Sequence, residues 1–264
     1  MEERKIEEKL RLREKRYEVD QLMKEKRSEE LEALEEVFDK STLMIVYRLL
    51  NQGLLTRIFG VVRAGKESRI YWGLDRKGRD VAVKIFLTTS SEFRRGMLHY
   101  IEGDPRFKRV RRDIRSLIYL WAQKEFKNLE SAHAVGVRVP RPIMVQGNVL
   151  LMEFVGKNGV PAPLLKEVNP TNPATFLKEL LKYVKLTYRK AKIVHGDLSE
   201  YNTMVWKNRP VIFDWSQAVM VDHPQAHAFL KRDITNLLNR FSKYGLKMKN
   251  TEETYRWVVG GVGD

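Results

Sequence analysis

The residues with the types and spacing for chemistry lie between positions 193 and 214. The stretch 193–202 reads Ile-Val-His-Gly-Asp-Leu-Ser-Glu-Tyr-Asn, so Asp197 follows His195 by two residues and precedes Asn202 by five. Asp214 closes the apolar run Val211-Ile212-Phe213. An Asp, an Asn and a strand-terminal Asp in this order form a recurring phosphoryl-transfer layout. One carboxylate accepts or orients the nucleophile's proton, while the amide and the second carboxylate hold Mg²⁺ on the triphosphate. His-Gly-Asp alone equally fits a polar loop between core segments. The later Asp and an upstream Lys-bearing strand tip the balance towards chemistry.

That upstream strand is Val81-Ala82-Val83-Lys84-Ile85-Phe86. Its period of two puts Ala82 and Lys84 on one face. A Lys amid apolar strand residues either snorkels outward or meets an anionic partner. A helix predicted over 116–134 offers one. Leu117, Trp121, Glu125 and Leu129 recur at intervals of four and share a stripe, which turns Glu125 inward. A buried carboxylate needs a cation or donors, and Lys84 is the natural cation; a local surface pairing of Glu125 is the alternative.

Other elements frame these groups. The β-rich stretch 54–72 is interrupted by Arg63-Ala64-Gly65-Lys66-Glu67-Ser68 and reads as strand, turn, strand. Such a turn can lay backbone N–H groups against phosphates, although Gly60 and Gly65 do not complete Gly-x-Gly-x-x-Gly and the segment alone reads as an ordinary hairpin. An apolar strand over 149–155 ends in Gly156-Lys157-Asn158-Gly159, which suits a hinge between lobes. Helices are expected over 43–51, capped by Ser41 or Thr42 and ended by Gly53, then over 175–191, 229–244 and 250–257. His99, His133, His223 and His227 lack ligand spacing and read as turn or surface residues.

A chain of 264 residues with 43% hydrophobic and 31% charged residues can bury a sizeable core, as one large domain or a bilobal pair. No apolar run reaches 18 residues and no h-region opens the chain, so neither a membrane span nor a secretory signal is expected. The absence of Cys removes disulfides and thiolate zinc sites, is compatible with a cytoplasmic location, and leans with the abundant Lys and Glu towards a thermophile. The net charge is +15, yet residues 1–40 carry more acid than base, so the whole excess lies in the body. A basic body suits polyphosphate or nucleic-acid contacts. Residues 1–36 read as a solvated, partly frayed helical extension. Residues 88–115 gather Arg94, Arg95, Arg106, Lys108, Arg109, Arg111, Arg112 and Arg115, either as a mobile solvated connection or as a surface for RNA or an acidic partner.

Taken in order, these pieces resemble the RIO family of atypical protein kinases, in its first (Rio-one-like) subfamily. The resemblance spans residues 41–250 and rests on several segments. They are Gly65-Lys66-Glu67-Ser68, Val81-Ala82-Val83-Lys84, Ser91-Glu92-Phe93, Gly103-Asp104-Pro105-Arg106-Phe107, Lys124-Glu125-Phe126-Lys127-Asn128-Leu129, Leu151-Met152-Glu153-Phe154, the stretch 195–202, Asp214-Trp215-Ser216-Gln217-Ala218-Val219, and Arg232-Asp233 with Phe241-Ser242-Lys243-Tyr244-Gly245. It implies an α+β, bilobal, trimmed protein-kinase-like fold, with an antiparallel N-lobe sheet plus helix and a mostly helical C-lobe. The implied divisions are a charged extension (1–40), an N-lobe (41–155), a C-lobe (156–257) and a flexible tail (258–264).

It also implies ATP with Mg²⁺, or alternatively Mn²⁺. Asp197 would be the catalytic Asp, and Asn202 and Asp214 the metal ligands. Lys84, held by Glu125, would contact phosphates beneath Lys66, Glu67 and Ser68. Ala82 would roof the adenine beside Met152, and the Glu153 carbonyl and the Val155 N–H would pair with the adenine. The family further implies ATPase action in small ribosomal subunit maturation through phosphorylation of Asp214, with the subunit precursor as partner and a monomer as the expected state. His-Gly-Asp replaces the His-Arg-Asp of ordinary kinases, Asp-Trp-Ser replaces Asp-Phe-Gly, and no Ala-Pro-Glu follows. An activation loop and a peptide platform are therefore not expected, and the sequence assigns no role to Trp215. Two rivals remain: a small-molecule phosphotransferase of the aminoglycoside or choline type, and a nucleotide-gated ribosome-binding scaffold.

Overall fold

A computed structural model describes residues 34–87, 97, 100, 101, 104, 106 and 113–260. The N-terminal part is a five-stranded sheet in the order β1-β2-β3-β5-β4. Its strands are β1 (Arg57–Ala64), β2 (Ser68–Leu74), β3 (Asp80–Phe86), β4 (Pro142–Gln146) and β5 (Val149–Glu153). Every neighbouring pair is antiparallel.

Alternation along β3 sorts two cores. Val81, Val83 and Ile85 join one cluster with Leu43, Val46 and Leu50 of helix α1 (Lys40–Asn51). Ala82 and Phe86 point the other way, into a larger cluster with Leu117, Ile118 and Trp121 of helix α2 (Ile114–Ala134). The sheet is thus covered on both faces. The second cluster continues unbroken into the C-terminal helices, so the lobes share apolar packing.

The C-terminal part holds α3 (Pro173–Leu186), α4 (Ala226–Ser242) and α5 (Thr251–Val259). Short strands β8 (Ile193–Val194) and β11 (Val219–Met220) pair with each other. Strands β9 (Thr203–Trp206) and β10 (Arg209–Ile212) form a hairpin. Its two-residue turn, Lys207-Asn208, has positive φ at both positions, the geometry that matches the twist of flanking strands. A small β6–β7 pair, Gly156–Lys157 with Val160–Pro161, links the lobes.

Several boundaries differ from the sequence reading. Asp39, not Ser41 or Thr42, caps α1: its carboxylate accepts from the N–H groups of both residues. Leu34 and Phe38 are buried in the outer core, so the folded body begins before residue 40. The helix expected over 175–191 changes at Thr187 to a π-helical turn, Thr187–Ala191, that ends at left-handed Lys192. The last helix runs to Val259 and buries Val258, inside the stretch expected to fray. His223 lies in the expected turn and is buried there. Of the basic cluster, Arg94, Arg95, Lys108, Arg109, Arg111 and Arg112 lie outside the described residues, as do residues 1–33 of the extension. Arg106 does not serve a surface; it pairs at 2.7 Å with buried Asp104.

The Asp39 cap carries a direct consequence for stability. Asp39→Ala is expected to cost about 1 kcal/mol, which lowers the melting midpoint by about 2–4 °C in a chain of this size. An unchanged midpoint in calorimetry would show that Ser41 and Thr42 carry the helix start without it.

Candidate active site

The site forms where the inner face of β3 meets the loops that follow β8 and β10. Lys84 is buried on that face, opposite Leu150 on β5. Its Nζ donates to Glu125 Oε1 at 2.8 Å and Oε2 at 2.7 Å, and to Asp214 Oδ1 at 2.9 Å. Helix α2 brings Glu125 there as the stripe predicts, and Glu125 is 1% exposed. Burial opposes an ammonium, yet Asp214 and Glu125 together hold Lys84 above the usual Lys range. Burial pushes Glu125 up against the Lys84 charge; hydrogen bonds to both of its oxygens are those of an ionised carboxylate.

Asp214 is different. Its backbone sits at φ +63, a left-handed position that Asp tolerates better than most residues, and its side chain is 49% exposed to the cleft. Desolvation raises its carboxyl. The charge and hydrogen bond of Lys84 and the Ser216 hydroxyl at 3.1 Å outweigh this and hold it below the ordinary Asp value. Asp214 therefore stays ionised at neutral pH.

Asp197 lies on the adjacent loop that follows β8, open to solvent. Desolvation and the charge of Asp214 push its carboxyl up, against Arg232 and Asn202. The Asn202 amide donates to the Asp197 carbonyl and reaches its Oδ2 at 3.4 Å, while Asn202 Oδ1 accepts from Ser199 N–H at 2.7 Å. The Phe213 N–H donates to the Asn202 carbonyl at 3.0 Å, so the Asp197 and Asp214 loops are tied directly. Glu67 faces the same space from the 65–68 turn. Burial, Asp214 and Asp197 raise its carboxyl, and Lys84 opposes them.

The backbone supports were not legible from the motif. Asp233 is buried on α4 and accepts from the Gly196 and Leu198 N–H groups, both at 2.8 Å. Burial pushes its carboxyl up to about 7, against those two donors. Arg232 donates to the Gly196 carbonyl. Gly196 itself sits at φ +80, and an added Cβ would lie 3.1 Å from the Gln217 carbonyl oxygen. A side chain in place of Gly196 is therefore strained here.

On α2, buried Lys124 donates to the Ser216 and Ala218 carbonyls, and Asn128 donates to Trp215 at 2.8 Å and Ala218 at 3.2 Å. Burial and neighbouring Arg106 push Lys124 down to about 7. One helix thus fixes both Lys84, through Glu125, and the segment after Asp214. Only the adjacency of Lys124 and Asn128 to Glu125 hinted at this. Trp215 gains a role as well. It is buried, donates to Ile212 at 3.1 Å, and packs edge-on against His195 at 4.6 Å between centroids. His195 donates from Nε2 to Phe213 at 3.3 Å; burial lowers its pKa to about 4, which keeps it neutral.

Two cavities meet at this centre. An apolar one of about 500 Å³ is lined by Ala82, Met152, Glu153 and Val155 among others. A polar one of about 270 Å³ is lined by Lys66, Glu67, Ser68, Lys84, Glu125 and Asp214 among others. All the residues singled out in the sequence thus surround one cleft except Asp197 and Asn202, which lie on the loop tied to its floor.

The model of the RIO domain matches residues 69–254. The chain belongs to the RIO family of protein kinases. It is 40% identical over 242 residues to the RIO-type serine/threonine-protein kinase Rio1 of Haloferax volcanii, covering 92% of this chain and 82% of that protein. The Rio1 of Methanocaldococcus jannaschii is 38% identical over 246 residues, with 92% and 83% covered. The human serine/threonine-protein kinase RIO1 is 33% identical over 230 residues; there the match covers 86% of this chain and 40% of the human protein. Among solved structures, the Rio2 kinase of Chaetomium thermophilum in an ADP/Mg²⁺-phosphoaspartate complex superposes with a TM-score of 0.63 at 19% identity, over 86% of this chain and 68% of that one. This structural likeness bears out the bilobal kinase-like fold. Fewer than 20 residues separate Asp214 from Arg232, and they hold the short strand β11 and a turn instead of a long loop with a peptide platform.

The buried Asp233 clamp is testable on its own. Asp233→Ala leaves two buried N–H groups unpaired, an expected loss of about 2–5 kcal/mol. Urea denaturation with an unshifted midpoint would show that the 195–198 loop holds its form without the carboxylate.

Proposed function

We propose that this chain is a Mg²⁺-ATP-dependent serine/threonine kinase and ATPase of the Rio1 type that services the small ribosomal subunit. The observation that carries the reading is Lys84, held between buried Glu125 and the ionised, cleft-facing Asp214. The Rio1 names of its relatives agree with it. The apolar cavity offers an adenine slot against Ala82 and Met152, which stand side by side on β3 and β5, with Glu153 and Val155 at its edge. The polar cavity is the place for the triphosphate, under Lys66, Glu67 and Ser68 and against Lys84.

Asp214 and the Asn202 amide are hard oxygen donors of the kind Mg²⁺ takes. Among the described residues no group of three or more His, Asp or Glu could hold a metal alone. This fits an ion that completes its shell with phosphate oxygens and water. When bound, Mg²⁺ supplies neutralisation of the charge on the transferring phosphoryl group. Asp197, carboxylate raised and open to the cleft mouth, orients a Ser hydroxyl or a water and takes its proton. Lys84 holds the phosphates in line. Asp214 is ionised and is itself the candidate acceptor for an aspartyl-phosphate, which would make the cycle a switch.

The basic body suits a ribonucleoprotein partner through phosphate contacts. No described helix is long and apolar enough to cross a membrane.

The test is turnover of γ-labelled ATP by wild type, Asp197→Ala and Asp214→Ala, with and without small-subunit particles. Asp197→Ala is expected to lose about 10²–10⁴-fold in phosphoryl transfer while ATP affinity holds; unchanged phosphate release would sink the assignment. A hydroxylamine-labile label present in wild type and absent in Asp214→Ala is expected for the switch. Transfer also requires ionised Asp197, whose pKa is raised. The rate is therefore expected to rise with pH along an acid limb placed above the ordinary Asp range, and a limb at the ordinary position would contradict that role for Asp197.

A further inference from the structure

The two cavities of the cleft share four lining residues: Arg63, Ile70, Met152 and Phe213. Arg63 is the charged member of that junction, and neither the motif nor the roles assigned above use it. Its place is set by an irregularity in β1. Val61 pairs with Tyr71 and Arg63 with Ile70, so two steps along β1 match one along β2. Val62 is the extra residue of a β-bulge. Strict alternation from Val61, which stands opposite the buried outer-face Tyr71, would send Arg63 to the outer face. The bulge puts both Val62 and Arg63 on the cleft side, and both line the apolar cavity.

The register then sets Arg63 in one cross-strand row with Ile70 and Lys84. Strand spacing places the Arg63 backbone about 10 Å from that of Lys84 along the row. The guanidinium carbon lies 5.5 Å from the centre of the Phe213 ring, the residue immediately before Asp214. Among the described residues no carboxylate forms an ion pair with Arg63. A second cation, separate from Lys84, is thus aimed at the point where an apolar base pocket gives way to a polar phosphate pocket. Bulges that re-aim a side chain are common beside functional sites.

We propose that Arg63 is a nucleotide-contacting residue whose guanidinium donates to the α-phosphate, positioned by the bulge in β1 and by the Phe213 ring. This rests on the nucleotide reading of the cleft. It adds a contact that depends on the first phosphate and not on the base, the metal or the transferred group.

Calorimetric titration of adenosine, AMP and ADP in EDTA tests it on wild type, Arg63→Gln and Arg63→Lys. Arg63 is exposed, so the variants are expected to fold, and their melting midpoints check this. Arg63→Gln is expected to weaken AMP and ADP about tenfold, the size of a lost charge-assisted hydrogen bond, and adenosine less than about twofold. Arg63→Lys should retain part of the AMP affinity. Equal weakening of adenosine and AMP would overturn the α-phosphate contact and leave only packing on Phe213. Unchanged AMP binding would show that Arg63 merely rests on the cleft wall. No binding of any of the three by wild type would overturn the nucleotide reading, and this contact with it.

Discussion

The buried ammonium of Lys84 is the interaction on which the rest depends. Taking one cation and two carboxylates into a cleft is costly unless each is paired with good geometry. Here one Nζ satisfies Glu125 twice and Asp214 once, all within 2.9 Å. The three groups come from a strand, a helix and a loop of different lobes. Removing Lys84 leaves two carboxylates without their common cation, so the pairing ties together β3, α2 and the segment after β10.

The supports around this centre act on backbone rather than on side chains. Asp233 takes the Gly196 and Leu198 N–H groups, and Lys124 and Asn128 give donors to the carbonyls of Trp215, Ser216 and Ala218. Short loops that cross a core carry polar groups that water cannot reach, and each needs a partner from within. The two neighbouring loops are therefore each held from a helix: the Asp197 loop from α4 and the Asp214 loop from α2. His195 and Trp215 pack between them as an apolar wedge, with His195 kept neutral by burial. Gly196, in the Asp197 loop, stands in a backbone conformation that disfavours a side chain.

Much of the centre was legible in the chain because its information is local. The period of two in 81–86 and the four-residue stripe of Leu117, Trp121, Glu125 and Leu129 each fix which side a charge faces, so the pairing of Lys84 with Glu125 followed. The order of Asp197, Asn202 and Asp214 supplied the groups on which the proposed chemistry rests. Local signals misled where a neighbour competed. Ser41 and Thr42 looked like caps, but Asp39 is a stronger acceptor at the right offset. Val258 looked like the start of a frayed tail, but α5 turns it into the core.

What the sequence alone determined is the set of chemical groups, their order, and the faces they occupy on regular elements, since periodicity is a property of a single segment. What only the tertiary structure decided depends on registers and on groups far apart in the chain. The bulge that turns Arg63 into the cleft exists only in the pairing of β1 with β2. The role of Trp215 as a wedge on His195, and of Asp233 as the brace of a loop more than thirty residues away, exists only once α4 packs beneath that loop. A hydrogen bond between distant segments leaves no period in either one, so no pattern in the chain announces it.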